Sequence, residues 1–303
     1  MSEPFWSISA VERDTGIAKD TLRVWERRYR FPAPVRDENG ERLYPPEQVV
    51  RLRTIRRLLD LGFRPGKIVG ASDAALEALV ADTLASEPGT PPASEALRSL
   101  VGMITLRNGD ALRTTLQQRL LREGLQRFVG ETLAPLNLEV GLAWFRGELR
   151  VSDEHLYTEQ VQNVVRAAIG QHSNPLGVPR ILLTTLPEES HALGLLMVEA
   201  MLVPEGACCV SLGTRTPLDD IARAAIEGAF DIVALSFSSA FPARQAIDGL
   251  NTLRTRLPDH IALWAGGQGA PAQRRLPPGI TVIDRIDEAP EALRQWRARH
   301  AGE

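Results

Sequence analysis

Glu188-Glu189-Ser190-His191-Ala192-Leu193-Gly194 is the stretch on which the reading of this 303-residue chain turns. It follows a short apolar run, Ile181 to Leu186, and opens a helical pattern, Leu195-Leu196-Met197-Val198-Glu199-Ala200-Met201-Leu202. Strand, turn and helix make the setting in which α/β sheets hold ligands, at the carboxyl ends of the strands. A histidine in such a turn is exposed enough to bind a metal through one ring nitrogen. A carboxylate two residues earlier, Glu189, can hold the other nitrogen and fix the tautomer. Gly194 removes a side chain where a flat ligand would press on the backbone. Alone, E-x-H-x-x-G is more often a solvent-facing loop, so the rest of the chain has to decide.

Downstream, Cys208 to Gly213 reads as a second buried strand, Asp231 to Ser238 as a third, Ile261 to Gly267 as a fourth and Ile280 to Ile283 as a short fifth. Helical patterns lie between them: Pro217 to Gly228, Ala243 to Leu257 and Ala289 to Arg299. Short apolar runs alternating with helices of this length imply a parallel sheet covered on both faces. The histidine turn, Ser236-Phe237-Ser238 and Gly266-Gly267 together resemble the cobalamin-binding Rossmann domain, whose motifs are D-x-H-x-x-G, S-x-L and G-G. The resemblance implies that His191 is the lower ligand of cobalamin's cobalt, that Glu189 hydrogen-bonds it, and that Ser236, Ser238, Gly266 and Gly267 line the nucleotide tail. Glu189 stands where that family has Asp, and Ser238 where it has Leu. Both changes keep the chemistry, a hydrogen bond to His191 in the first case and a small wall in the second.

Length suits two or three domains. The net charge of −3 is unevenly spread: residues 1–70 hold 14 Lys+Arg against 10 Asp+Glu, a net +4 that leaves −7 for the remainder. A basic amino-terminal module on an acidic body points to an anionic partner for that module. Two adjacent cysteines cannot staple the fold and imply a reducing compartment. The polar start of the chain does not read as a signal peptide, and no apolar run approaches the ~18 residues of a membrane span. A cytoplasmic protein is expected.

Residues 9–17 read as a short helix closed by Gly16, and Lys19 to Tyr29 as a second one bearing Thr21, Arg23, Arg27 and Tyr29. This is helix-turn-helix logic, with the second helix entering a major groove. Arg36, Gly40 and Arg42-Leu43-Tyr44 read as a tight hairpin, followed by a helix from Pro46 to Leu61 carrying Arg51, Arg53, Arg56 and Arg57. T-L-R-x-W-E-R-R-Y followed by R-x-x-x-G-x-R-x-Y is similar to the winged-helix domain of the MerR regulators. That resemblance implies base and phosphate contacts from Thr21, Arg23, Arg27 and Tyr29, and wing contacts from Arg36, Arg42 and Tyr44. Leu22 and Trp25 are expected in the core. Ser86-Glu87-Pro88-Gly89-Thr90-Pro91-Pro92 cannot continue a helix. It reads as a linker spanning 76–92, in place of the long helix and clustered cysteines of the MerR metal sensors.

Residues 93–173 carry apolar positions at i, i+3, i+4 and i+7, which predicts four helices near 94–107, 109–122, 125–146 and 152–170, a four-helix bundle. Trp144-Phe145 ends the third helix, and Ser152-Asp153-Glu154-His155 opens the fourth with Ser152 as N-cap. The spacing W-x9-E-H resembles the cap of light-sensing cobalamin regulators of the CarH/LitR type, which implies that Trp144, Phe145, Glu154 and His155 cover the upper axial group. Phe145 departs from that family, whose best-known members carry a histidine there.

The expectation is therefore a multidomain α plus α/β chain: a MerR winged helix at 1–75, a bundle at 93–173 and a Rossmann-like parallel-sheet domain at 178–303. Its implied function is that of a cobalamin-dependent repressor, not an enzyme, released from DNA by light. Adenosylcobalamin is the expected cofactor, with methylcobalamin as a second form. A homo-oligomer, dimer or tetramer, is expected on an operator of repeated or inverted half-sites. The rival readings are a corrinoid carrier of a methyltransferase system and a MerR-type regulator answering another ligand or a protein partner.

Overall fold

The run ending at Leu186 forms β4 (Arg180–Thr184), an inner strand of the C-terminal sheet. The computed structural model describes residues 5–38, 40–60, 62–86, 94–172, 174–239 and 241–300. They fall into two compact units, residues 1–109 with 136–157 and residues 110–135 with 158–303.

The second unit holds five parallel strands in the order β5-β4-β6-β7-β8, where β5 is Cys208–Gly213, β6 Ile232–Ser236, β7 Ala262–Gly266 and β8 Ile280–Ile283. Helices α11 (Leu193–Leu202), α12 (Leu218–Glu227), α13 (Ala243–Arg256) and α14 (Ala289–His300) alternate with them. Ile181 to Thr184 are all buried because helices cover both faces, which is why this strand reads as an unbroken apolar run. Leu182, Val233, Leu235 and Leu263 pack with Ile221, Leu250 and Leu253 from α12 and α13. Each such side chain contributes about 1.5–3 kcal/mol on burial. From β4 the chain goes to one side, to β5, and then returns past β4 to β6. The carboxyl ends of β4 and β6 therefore flank the reversal of strand order, where open α/β sheets bind ligands. One expectation is corrected here: β5 is not a buried strand. It pairs only with β4 at the sheet edge, so Val210 and Leu212 are exposed while Cys208 alone is buried.

In the first unit, α1 (Ile8–Thr15) starts at Ser7, whose Oγ accepts from Ala10 N at 3.3 Å, and ends at Gly16 with φ +68°. α2 (Lys19–Tyr29) buries Leu22 and Trp25 one turn apart. A small antiparallel sheet follows, ordered β1-β3-β2, from β1 (Trp6–Ser7), β2 (Val35–Arg36) and β3 (Arg42–Tyr44). Val11, Leu22, Trp25, Leu52, Ile55 and Ile68 close the core with α3 (Pro46–Asp60) and α4 (Pro65–Ile68). The chain from 76 to 86, expected as linker, instead continues α5 (Asp73–Ser86), and Leu76 and Leu79 pack into this core. The proline-rich remainder of that linker lies outside the described residues.

Between the two motif-bearing regions run α6 (Glu95–Thr105), α7 (Gly109–Glu123), α8 (Leu125–Arg127), a π-helical turn (Phe128–Leu133), α9 (Ala134–Arg146) and α10 (Val151–His172). Four helical stretches stand where periodicity predicted them, with two corrections. The third is interrupted by the π turn, whose Thr132 is buried, donating to Glu123 Oε2 at 2.7 Å and accepting from Arg119 at 3.4 Å. The fourth begins one residue before Ser152, so Ser152 is not its cap. The residue that organises this end is Asp153, buried, which accepts from Arg150 N at 2.9 Å and Arg107 Nε at 3.0 Å. Among the described residues no helix is long and apolar enough to cross a membrane.

Candidate cobalamin site and DNA-binding face

The loop after β4 is held from beneath. Thr185, wholly buried, donates its hydroxyl to Glu189 O at 2.7 Å and accepts from Arg215 N at 2.9 Å. Glu189 is 2% exposed and accepts four hydrogen bonds. Two come from His191, its backbone N at 2.9 Å and its Nδ1 at 2.6 Å, both to Oε1. Two come from Ser238, its backbone N and its Oγ, both to Oε2 at 2.7 Å. Burial alone would push this carboxyl up, but these donors outweigh burial and hold it at about 2, so it is ionised. An ionised carboxylate can only accept, so Nδ1 of His191 carries a ring proton, and Nε2 is the ring nitrogen on the side away from Glu189. The imidazole is half exposed at the carboxyl end of the sheet. Its chemistry is that of an oriented nitrogen ligand with a carboxylate behind it.

Ser238 does more than leave a small wall. It bridges the ends of β4 and β6 by binding the carboxylate that orients His191. Sequence reasoning missed this link, and the signal was Glu189 itself, one methylene longer than the Asp of the resembling family. A side chain on Gly194 would place its Cβ 2.2 Å from Ser236 Oγ, so the glycine admits that hydroxyl against the start of α11. Gly267, at φ +95°, lies so near the backbone that a Cβ would stand 2.3 Å from Phe237 O. Gly266 O accepts from Phe237 N at 2.9 Å, fastening the Gly-Gly turn to the Ser-x-Ser turn. The structure thus brings Glu189, His191, Gly194, Ser236, Ser238, Gly266 and Gly267 to one end of the sheet.

On the first unit, α2 presents Arg23 and Arg27 to solvent, with Thr21 and Tyr29 half-buried. Arg23 pairs with Asp20 at 2.9 Å. In the hairpin, Arg36 donates to Gly40 O at 2.8 Å, and Arg42 reaches across to Glu26 of α2 at 2.8 Å. Tyr44, expected to touch DNA, is corrected: at 0% exposure it is a core residue of the winged helix. Two of the arginines on α3 also serve the fold. Arg53 makes a bidentate pair with Asp14 at 2.7 and 2.9 Å, and Arg51 lies 4.3 Å over the Phe31 ring and hydrogen-bonds Ala71 O. Exposed Arg64 and Lys67, not singled out from sequence, flank Gly66, whose Cβ position is 3.7 Å from Tyr29 Oη. They extend the basic surface past the end of α2.

Of the expected cap residues, Trp144 is half-buried on α9, and Glu154 and His155 face each other at 3.7 Å in the first turn of α10, His155 being 73% exposed. The side chain of Phe145 lies outside the described residues.

Comparison with known proteins agrees with both modules. Residues 6–74 match the family model of MerR HTH family regulatory proteins. The chain is 32% identical over 274 residues to the HTH-type transcriptional repressor CarH of Myxococcus xanthus, covering 89% of this chain and 91% of CarH. It is 30% identical over 269 residues to the HTH-type transcriptional repressor CarA of the same organism, covering 87% and 86%. The solved structure of the monomethylamine corrinoid protein of Methanosarcina barkeri matches with a TM-score of 0.53 at 15% identity, over 65% of this chain and 96% of that one, a likeness of fold. The chain belongs to the family of MerR-type HTH transcriptional repressors that includes CarH and CarA.

Proposed function

We propose that this repressor binds cobalamin at the carboxyl end of its parallel sheet and that light acting on the bound cofactor sets its hold on DNA. The observation that carries the reading is the Glu189 carboxylate, closed on His191 Nδ1 on one side and Ser238 on the other at the reversal of strand order. A single imidazole with its lone pair on Nε2 is the donor that an axial cobalt position takes, so the residues present fit the group. His191 would be the lower ligand, Glu189 and Ser238 would keep its tautomer and orientation, and Gly194, Ser236, Gly266 and Gly267 would form the walls. Bound adenosylcobalamin, or methylcobalamin, would supply a light-sensitive cobalt–carbon bond. Trp144, Phe145, Glu154 and His155 are proposed to cover the upper axial group on the resemblance of their spacing, with residues 93–173 acting as the capping module.

The DNA-binding residues proposed are Thr21, Arg23, Arg27, Tyr29, Arg36 and Arg42. One winged helix buries too little surface for tight specific binding, so a dimer or tetramer on repeated or inverted half-sites is proposed. The test is the absorption spectrum of the purified protein mixed with adenosylcobalamin in darkness and then illuminated, with His191→Ala beside it. The parent should show a histidine-ligated cobalamin that changes on illumination, and the variant a cobalamin without that ligand and more weakly retained. An unchanged spectrum and affinity in His191→Ala would remove the reading.

A further inference from the structure

Arg42 does not stand alone on the hairpin. Its Nε donates to Glu26 Oε2 at 2.8 Å, and each of the two side chains is only 27% exposed. Arg42 also lies directly opposite Arg36 across the hairpin, where like charges repel. Tyr44, on the same strand, is wholly buried with its hydroxyl unpaired, and both Glu26 and Arg42 bear on it electrostatically. A carboxylate beside the face that meets DNA opposes phosphate binding by charge alone. Its place at the centre of this cluster is explained if it does geometric work.

We propose that Glu26 is a positioning residue for DNA binding: it holds the Arg42 guanidinium through Nε and ties the wing to α2. An arginine has five N–H donors in a rigid fork. With Nε committed to Glu26, the two terminal nitrogens form the edge that a phosphate accepts, and the pair offsets the repulsion from Arg36. The proposal rests on the reading of Arg42 as a wing contact to phosphate, and the experiment separates the two.

The full-length protein, in the state that binds DNA, is titrated with salt on a random-sequence duplex, for the parent and for Arg42→Ala, Glu26→Ala, their double variant, Glu26→Gln and Glu26→Asp. Loss of one phosphate contact lowers the salt slope by about 0.9, which at ~0.1 M salt is about an eightfold loss of affinity. Arg42→Ala and Glu26→Ala should each show that loss, and the double variant no more than either. Glu26→Gln keeps an oxygen that accepts from Nε and should stay within about twofold of the parent. Glu26→Asp keeps the charge but falls one methylene short, and should weaken binding. The last two decide the matter even if Glu26→Ala fails to fold. Tighter binding in Glu26→Gln with parental binding in Glu26→Asp would show that Glu26 acts as a charge only and would overturn the proposal. An Arg42→Ala variant that binds as the parent does would overturn the wing reading beneath it.

Discussion

Glu189→Gln tests the centre of the site in the absence of any cofactor. The native carboxyl is held at about 2 against an ordinary value of 4.5. That gap corresponds to about 3 kcal/mol of differential stabilisation of the ionised form. With the folded value depressed, the stabilisation is fully present above about pH 4.5 and is lost as pH falls towards 2. The side chain is 2% exposed, so solvent screening takes little from this figure. A glutamine cannot ionise, and its amide nitrogen would meet donors of either His191 or Ser238. The variant should therefore be less stable than the parent by about 3 kcal/mol at pH 7, with the difference shrinking as pH falls from 4.5 to 2. Hydrogen exchange followed by mass spectrometry on peptides covering residues 180–191 and 232–238 reads this locally. The difference between the two proteins removes the acid response of every other carboxylate. Equal protection of parent and variant at pH 7, or a constant difference across the acid range, would refute the argument that the four hydrogen bonds hold this group ionised.

Gly194→Ala should destabilise the second unit by about 1–3 kcal/mol through overpacking against Ser236, and adding Ser236→Ala should recover most of it, because the next Ser236 atom stands at 3.4 Å; thermal unfolding of the single and double variants checks this. Cys209 should react with a thiol reagent far more slowly than a free cysteine at pH 8, since burial, and after it Glu199, pushes its thiol up; rapid modification of Cys209 in the folded protein would contradict this. Arg23→Ala should cost about 1–3 kcal/mol of specific operator binding if this side chain reads a base edge, with little change on random duplex; an equal loss on both DNAs would make it a phosphate contact instead.

The sequence by itself carried whatever is written in short range. Apolar runs separated by helical periods were enough for the parallel sheet, because strands buried on both faces leave an unbroken signal such as Ile181 to Leu183. The turn of a helix-turn-helix was legible in Gly16, and the core positions Leu22 and Trp25 in their i, i+3 spacing. His191 and its carboxylate lie two residues apart, so their pairing could be read before any fold was known. What no window could show depended on partners distant in the chain. Ser238 reaches Glu189 across 49 residues only because β4 and β6 are neighbours, and Arg42 meets Glu26 only because the hairpin folds back on α2. Tyr44 shares β3 with Arg42, and the resemblance implies that both touch DNA, yet the packing of the winged helix takes Tyr44 wholly inside. Cys208 to Gly213 had the composition of a buried strand, but exposure is a property of position in the sheet, and the strand order puts β5 at its edge. Local pattern determines which elements form and which short-range pairs exist; only the tertiary arrangement decides which donors meet a buried carboxylate, and the burial of Glu189 between Ser238 and His191 is what joins the three into one site.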